Sequence, residues 1–247
     1  FLNAMGGRVR ISPDSRVVIE GVPELHGTDY TPIPDRIEAG TLMAAAAASG
    51  GDVTLENVRN DHLRPITLKL IEAGAEIFPY PGGVRVKGRR LSPMVIVSSP
   101  YPGFPTDLQA PFTAAMTQAE GISNTTELMF DGRLQYVEQL RLMGANIDIE
   151  DNGRRAVVHG PTPLVGTEVK ALDIRSGAAM VVAALAAEGV TTISNVMYID
   201  RGYQDIDRHL ADLGAVINRS LEDDHALPDQ KEGEPVEWSA AQVPQTP

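Results

Sequence analysis

One pattern of apolar and small residues recurs along the chain at a nearly constant interval. The phrase L-x-x-x-G-A-x-I occurs at 70–77, 140–147 and 210–217, and a shortened version occupies 1–9. The first glycines of these phrases, at positions 6, 74, 144 and 214, are 68, 70 and 70 residues apart. Solenoid repeats are about 20–50 residues long. The longer interval therefore predicts that each unit is a whole supersecondary block.

The hydrophobic pattern inside each block predicts the same series of elements. A helix ends at the glycine, the residue that adopts the left-handed C-terminal conformation at least cost, and an alternating strand such as 146–150 follows. Alanine-rich apolar helices are predicted at 41–48, 112–119 and 178–187, and a β-branched strand at 190–193. Because the alanine helices carry little polar surface, we expect them to lie together inside, with sheets outside.

Composition narrows the class of protein. The 247 residues suffice for one large domain or two small ones. No apolar run approaches the roughly 20 residues of a membrane span, and no signal peptide opens the chain. Without cysteine, and with five histidines that lack metal-ligand spacing, neither a disulfide nor a metal site is expected. The net charge of −12 argues against nucleic acid as a partner.

Much of the negative charge lies at the end of the chain, in 220–247. Seven carboxylates there face a single lysine, Lys231, in a segment rich in proline and glutamine that shows no apolar period. Such a composition predicts a disordered acidic tail. The rest of the chain is then only mildly acidic and can contain local basic sites.

The segment 102–109, P-G-F-P-T-D-L-Q, is the first candidate site. Thr106 and Gln109 have the spacing of a capping box, and Asp107 falls in the first helical turn, where a carboxylate is favoured by about 0.3–1 kcal/mol. Helix-end electrostatics is therefore the simpler interpretation of Asp107. The rigid Pro-Gly-Phe-Pro approach is also what a substrate-positioning loop requires, so a catalytic role stays open.

Two arginines at the front of alanine helices form a second candidate. Arg36 follows Pro-Asp, and Arg175 lies in the phrase L-D-I-R. A cation at the amino end opposes the helix dipole, so an anionic partner should lie near each arginine. For Arg36 we expect an ion pair with the adjacent Glu38. For Arg175 two partners are equally open, the adjacent Asp173 and an anionic ligand.

Two further arginines follow predicted strands. Arg201 lies in Y-I-D-R-G-Y, where the glycine hinge allows the guanidinium to present two parallel donors to an anion. The alternative is a solvated surface pair with Asp200, which would contribute little to stability. Arg133, in F-D-G-R, occupies a similar position at a turn. Both arginines are candidates for anion binding.

Four of these phrases together resemble the UDP-N-acetylglucosamine 1-carboxyvinyltransferase family of enolpyruvyl transferases. They are P-D-R-I-E-A-G-T at 34–41, F-P-T-D-L-Q at 104–109, D-I-R at 173–175 and I-D-R-G-Y at 199–203, and they occur in the family's order and spacing. The resemblance covers about 1–219. It implies an α/β fold of the inside-out barrel type, with three repeats of about 70 residues and the first repeat incomplete.

The resemblance also implies an activity. Members of that family transfer the enolpyruvyl group of phosphoenolpyruvate to the 3-hydroxyl of UDP-N-acetylglucosamine and release phosphate, the first committed step of peptidoglycan synthesis in the bacterial cytoplasm. No cofactor is implied. The expected partners are therefore these two small molecules, which would bind between two domains.

Individual roles follow from the same resemblance. Asp107 would accept the proton of the sugar hydroxyl or orient that hydroxyl, Arg201 would contact phosphoenolpyruvate, and Arg175 would help to shape the closed site. Met129 falls where the family contacts the uridine nucleotide. Pro105, Thr106, Arg133 and Asp173 occupy the remaining pocket positions.

The family pattern divides the chain into three parts. Residues 1–22 resemble the end of the catalytic-loop domain and the crossover, 23–219 the three-repeat domain, and 220–247 lie outside the resemblance. The family's mobile loop, whose acid is commonly a cysteine, and its early lysine and asparagine are not in this sequence. We therefore expect the segment to be inactive alone and to need the amino-terminal half of the same enzyme.

Three other interpretations remain. An enzyme like 3-phosphoshikimate 1-carboxyvinyltransferase would share the fold and the phosphoenolpyruvate chemistry, although the phrase at 104–109 fits it poorly. A non-catalytic nucleotide-sugar-binding module is the second. A purely structural repeat domain is the third, and it would leave the arginines at the helix fronts unexplained.

Overall fold

The computed structural model describes residues 1–14 and 16–220. The predicted acidic tail, apart from Ser220, lies outside the described residues. The helices are α1 (Arg36–Ser49), α2 (Arg64–Glu72), α3 (Gln109–Met116), α4 (Tyr136–Leu142), α5 (Ile174–Ala186), α6 (Met197–Asp200) and α7 (Ile206–Asp212). Short 3-10 turns occupy Thr106–Leu108 and Asp151–Gly153.

The strands form small separate sheets. They are β1 (Arg8–Ile11), β2 (Val17–Glu20), β3 (Asp52–Glu56), β4 (Glu76–Tyr80), β5 (Gly83–Lys87), β6 (Val95–Val97), β7 (Gly121–Thr126), β8 (Ile147–Glu150), β9 (Arg155–Gly160), β10 (Glu168–Lys170) and β11 (Thr192–Ser194). Within 1–14 and 16–220 the sheets are β1–β2, β3–β5–β4, β6–β7–β9–β8 and β10–β11. No closed ring of strands is present in this part of the chain.

The alanine-rich helices α1, α3 and α5 form the centre of the molecule, as the sequence predicts. Met43, Phe112 and Met180, one from each helix, are completely buried. Full burial of such a side chain contributes roughly 1.5–3 kcal/mol. Small residues let the helices approach closely: a Cβ on Gly40 of α1 would lie only 2.4 Å from a methyl carbon of Leu108. The helices begin three to five residues earlier than the sequence predicts.

The helices α2, α4 and α7 present one apolar face to this core. In α2 the buried residues are Ile66 and Leu70, and in α7 they are Ile206 and Leu210, pairs four residues apart on one side of a helix. A glycine with positive φ follows each helix: 96° at Gly74, 96° at Gly144 and 101° at Gly214. The predicted glycine ends of the helices are therefore confirmed.

The same order of elements occurs twice. A buried helix, a strand, an outer helix, an antiparallel strand pair and a short strand run from α1 to β6 and again from α3 to β10. A third buried helix, α5, is followed by β11, α6 and α7. The short strand of one series joins the sheet of the next, because β6 runs parallel to β7 and β10 parallel to β11. This exchange links successive sheets around the helices.

The first part of the chain is different. β1 and β2 form an antiparallel hairpin in which Arg8 lies opposite Glu20. Residues 21–35, which lead to α1, contain no helix or strand. The apolar side chains of Ile11, Val17 and Ile19 on this hairpin are 76%, 61% and 68% exposed.

Candidate active site

The amino-terminal turns of the buried helices lie close to one another. The hydroxyl oxygens of Thr41 in α1 and Tyr203, which follows α6, are 2.9 Å apart. A Cβ on Gly202 would lie 2.4 Å from the Cδ1 of Ile174, the first residue of α5. Burial raises the pKa of Tyr203 to about 12, and the nearby charges of Asp35 and Asp107 act in the same direction. One end of the helical core thus brings together residues of α1, of the turn before α3, of the start of α5 and of the segment after α6.

This end of the core favours negative charge. Free N–H groups and the helix dipole make an amino terminus a site for anions. Two of the three ends carry a carboxylate cap: Asp35 accepts a hydrogen bond from the Ile37 nitrogen at 2.7 Å, and Asp173 accepts one from the Ser176 nitrogen at 2.8 Å. Ser176 completes a capping box with Asp173.

Asp107 projects from the 3-10 turn that precedes α3. Its side chain is 51% exposed, and its Oδ1 accepts a hydrogen bond from Nη1 of Arg133 at 3.0 Å. The buried Pro105 starts this turn with an extended backbone. Pro111 has no N–H to donate to the carbonyl of Asp107, which explains why the regular helix begins only after the turn. Asp107 is therefore fixed at the edge of the core and open to solvent.

Thr106 does not form the capping box that its spacing with Gln109 suggests. Its hydroxyl donates instead to Oε2 of Glu127, at 2.6 Å, and no side chain caps α3. Both amide atoms of Gln109 are buried without a hydrogen-bond partner in the described part of the chain. The capping-box prediction is wrong because the sequence could not show that a buried carboxylate, Glu127, lies beside Thr106.

Arg133 lies between Asp107 and an aromatic ring. Its guanidinium carbon is 4.0 Å from the centre of the Phe130 ring, and its Nη1 also donates to Oγ1 of Thr106 at 3.2 Å. Met129, one residue before Phe130, is 37% exposed on the same loop. The structure therefore brings together the predicted residues Thr106, Asp107, Met129 and Arg133.

Sequence reasoning missed Glu127. This carboxylate directly follows β7 and is 1% exposed. It accepts hydrogen bonds from the Thr106 hydroxyl and from the backbone nitrogen of Met129. The local sequence offered one signal, a carboxylate placed between a β-branched strand and the apolar run Leu-Met-Phe. Its partners are distant in sequence, so their identity could not be inferred.

Arg175 and Asp173 form an ion pair at the front of α5. The Arg175 side chain is 16% exposed, and its Nη1 is buried with no hydrogen-bond partner within 1–14 and 16–220. The adjacent carboxylate thus satisfies only part of the guanidinium. A buried donor without a partner costs about 1–3 kcal/mol, so this guanidinium can still bind a further acceptor.

Arg36 behaves differently from the prediction. In the described residues it has no ion pair with Glu38, and its guanidinium carbon lies 5.4 Å from the centre of the Tyr101 ring. A cation above an aromatic face is attracted by the ring quadrupole, so the expected carboxylate partner is replaced by an aromatic one. Burial and the neighbouring Asp35 raise the pKa of Glu38.

Arg201 is exposed at the end of α6. The alternative surface pair with Asp200 is absent in the described residues because Asp200 is bound by Arg219, with N–O distances of 2.8 and 2.9 Å. Arg219 also donates to Asp207 at 3.0 Å. Arg201 itself makes no ion pair within 1–14 and 16–220, and its guanidinium remains available to an anion.

This arrangement can bind an anion and accept a proton. Arg133 lies beside the half-exposed carboxylate of Asp107, and Arg175 lies in the first turn of α5, at a helix amino end that favours negative charge. Arg201 follows α6 and presents a third guanidinium. In the described ranges, no group of three or more His, Asp or Glu side chains is placed to hold a metal ion. None of the helices in those ranges has the length and apolarity that crossing a membrane requires.

An enolpyruvyl transferase and an EPSP synthase are among the solved structures that share this fold. The enolpyruvyl transferase NikO from Streptomyces tendae superposes with a TM-score of 0.77 at 28% identity, over 87% of this chain and 52% of that protein. An EPSP synthase from Acinetobacter baumannii gives a TM-score of 0.65 at 21% identity, over 89% of this chain and 54% of that one, which shows the fold alone.

The family follows from the sequence comparison. A family model for EPSP synthase (3-phosphoshikimate 1-carboxyvinyltransferase) matches residues 1–210, and the chain belongs to this family. The UDP-N-acetylglucosamine 1-carboxyvinyltransferase 1 of Caldanaerobacter subterraneus subsp. tengcongensis is 49% identical over 220 residues, 89% of this chain and 52% of that protein. The corresponding enzyme 2 of Symbiobacterium thermophilum is 48% identical over 219 residues, 89% of this chain and 51% of that protein. The chain spans about half the length of these relatives.

Proposed function

We propose that this chain is the carboxy-terminal half of a UDP-N-acetylglucosamine 1-carboxyvinyltransferase. The reaction would move the enolpyruvyl group of phosphoenolpyruvate to the 3-hydroxyl of the sugar nucleotide and release phosphate, in the cytoplasm and as an early step of peptidoglycan synthesis. The observation that carries the proposal is the placement of Asp107 beside Arg133 at the amino ends of the buried helices. Relatives at 44–49% identity with this named activity support it.

The residues have a defined chemistry in this proposal. Phosphoenolpyruvate is strongly anionic, so Arg201 and the unpaired donor of Arg175 suit its carboxylate and phosphate groups and the departing phosphate. Asp107 accepts or orients the proton of the sugar hydroxyl as that oxygen attacks. Met129, on the exposed loop, contacts the nucleotide. The acid that protonates the methylene carbon comes from the amino-terminal half.

Two features of the structure support such a partner half. The exposed apolar side chains of the β1–β2 hairpin suit coverage by further protein. In the described residues β3 lies at the edge of its sheet and pairs with a strand on one side only. Its counterpart in the next series, β7, pairs on both sides, one of its partners being the parallel strand β6. We propose that residues 1–22 cross to the other half and that 23–219 form an inside-out barrel domain of three repeats, the first incomplete.

The proposal is tested by restoring the missing half. Residues 1–219 would be joined to the complementary amino-terminal part of the Caldanaerobacter relative, and phosphate release from phosphoenolpyruvate would be measured with UDP-N-acetylglucosamine as acceptor. We expect turnover by the joined protein and none by the chain alone. A thermal melt of each protein verifies folding.

The same assay separates the alternatives. Release with shikimate 3-phosphate but not with the sugar nucleotide would identify the other branch of the family. Binding of UDP-N-acetylglucosamine by a folded joined protein without any phosphate release would indicate a non-catalytic module. Turnover by the chain alone would contradict the need for the second half.

A further inference from the structure

We propose that Glu127 is a positioning residue that sets the orientation of Asp107 through Thr106 and Arg133. The inference rests on the proposed function, since it concerns the geometry of the residue assigned to the sugar hydroxyl. Glu127 is the buried carboxylate that follows β7, with 1% of its surface exposed. It belongs to neither the sequence prediction nor the set of residues assigned to substrate.

The carboxylate is satisfied by four donors. Oε1 accepts hydrogen bonds from the Ser98 hydroxyl at 2.8 Å and from the backbone nitrogens of Met129 and Phe130 at 2.7 and 3.2 Å. Oε2 accepts the hydroxyl of Thr106 at 2.6 Å. Glu127 therefore ties the Met129 loop and the turn of Asp107 to a single group.

The bond from Thr106 fixes the polarity of its hydroxyl. Because the proton of Thr106 points to Glu127, a lone pair of the same oxygen is free to face Arg133, whose Nη1 lies 3.2 Å away. The same Nη1 donates to Oδ1 of Asp107 at 3.0 Å. Arg133 is thus held between the Thr106 hydroxyl oxygen, whose orientation is fixed, and the carboxylate of Asp107, whose position Arg133 sets.

A second connection closes the network. The guanidinium of Arg133 stacks on the ring of Phe130, and the backbone nitrogen of Phe130 donates to Glu127. Both supports of Arg133, the hydroxyl on one side and the ring on the other, are therefore anchored to the same buried oxygens. Displacement of that carboxylate would release both supports together.

Replacement by glutamine would disturb this network with little change in volume. Three donors share one oxygen, so the amide must keep its carbonyl there and turn its NH₂ group toward Thr106. Thr106 then has to rotate its proton away, in the direction of Arg133. We expect Arg133 to lose this acceptor and Asp107 to lose its fixed orientation. Thr106→Val removes the hydroxyl and so interrupts the same chain of hydrogen bonds between Glu127 and Arg133.

The first experiment uses the chain itself and needs no activity. NMR signals of the Arg133 guanidinium would be compared in the wild type, Glu127→Gln, Thr106→Val and the control Glu138→Gln, which removes an exposed carboxylate paired with Arg141 on α4. We expect hindered rotation of the guanidinium in the wild type and the control, and averaged signals in the other two. Hindered rotation in both Glu127→Gln and Thr106→Val would overturn the proposal.

The second experiment uses the joined protein. We expect Glu127→Gln and Thr106→Val each to lower kcat by about 10–100-fold, the cost of a small misplacement of a catalytic group, with the KM for phosphoenolpyruvate changed less than threefold. The double variant should lose no more than the more damaging single variant, because both changes interrupt one path. Glu138→Gln should keep normal kinetics.

The outcomes distinguish this inference from the proposed function. If the wild-type joined protein is folded but inactive, the proposed function fails, and the guanidinium signals still decide the role of Glu127. If it is active and Glu127→Gln has the kinetics of Glu138→Gln, the positioning role fails alone. Multiplied losses in the double variant would also contradict a shared path. Should Glu127→Gln not fold, Thr106→Val carries both tests.

Discussion

The two ends of the buried helices differ in almost every physical respect. At the carboxyl end of α1, Gly50 has the left-handed conformation with a φ of 70°, and Gly88 lies so near that an added Cβ would be 2.4 Å from the Ala46 carbonyl oxygen. At the carboxyl end of α3, a Cβ on Gly160 would be 2.3 Å from the Ala119 carbonyl oxygen. This end is closed by backbone packed on backbone, which only glycine allows.

The amino ends are polar and incompletely satisfied. Asp107, Arg133 and Arg175 lie there, together with the buried amide of Gln109, which has no partner in the described residues. Proteins break local rules mainly at functional sites. The carboxyl ends are therefore closed and satisfied, whereas the amino ends leave polar groups unsatisfied at the site proposed above to bind substrate.

The strongest test of this separation is Asp107→Asn in the joined protein. The change keeps the size of the side chain but removes the base, so we expect kcat to fall by about 10²–10⁴-fold, the usual contribution of a general base. Steady-state phosphate release measures the effect, and a thermal melt should show a nearly unchanged protein. Near-normal turnover with a lowered melting temperature would leave Asp107 only a helix-end role.

Local patterns predicted much of the fold. Alanine content placed all three buried helices, because a helix without polar surface has no other stable location. The glycines at 74, 144 and 214 marked the ends of the outer helices because the left-handed conformation is a local property. The predicted starts of α1, α3 and α5 were less accurate, because the first turns of these helices are polar and lie outside the apolar pattern.

The site was only partly predictable because its contacts join distant residues. The motif residues were recognised by resemblance, but one carboxylate among 33 acidic residues could not be singled out as the anchor of Thr106. The partner of Arg36 was assigned wrongly, and the actual partner of Asp200 was missed, for the same reason. Their actual neighbours, Tyr101 and Arg219, are far away in sequence.

A change at the opposite end should affect stability alone. In Gly88→Ala the new methyl group would collide with the Ala46 carbonyl and with the backbone of Gly50, at 2.4 and 2.7 Å. Overpacking of this kind costs about 1–3 kcal/mol, which denaturant unfolding of the chain would measure. The control is Gly27→Ala, where an added Cβ meets nothing within 4 Å. In the joined protein, kcat should stay near normal under all conditions in which the Gly88→Ala variant is folded.

The smallest expected effect concerns Glu38, in the first turn of α1. Partial burial and then the charge of Asp35 raise the pKa of its carboxyl above the ordinary 4.5. A raised pKa in the folded state means that this group stabilises the fold most at pH values below 4.5 and that the contribution is lost as the pH rises through the folded pKa. The charged form is therefore the unfavourable one at neutral pH.

Glu38→Gln removes that charge, so the variant should melt at a slightly higher temperature than the wild type at pH 7, and the difference should disappear below pH 4.5. Melting curves between pH 4 and pH 8 measure this difference. Glu168→Gln, at an exposed position of β10, is the control and should follow the wild type throughout. A Glu38→Gln variant less stable than the wild type at pH 7 would show that the carboxylate has a stabilising partner. The polar groups at the amino end of α1 would then be as well satisfied as those at its carboxyl end, contrary to the contrast drawn between the two ends.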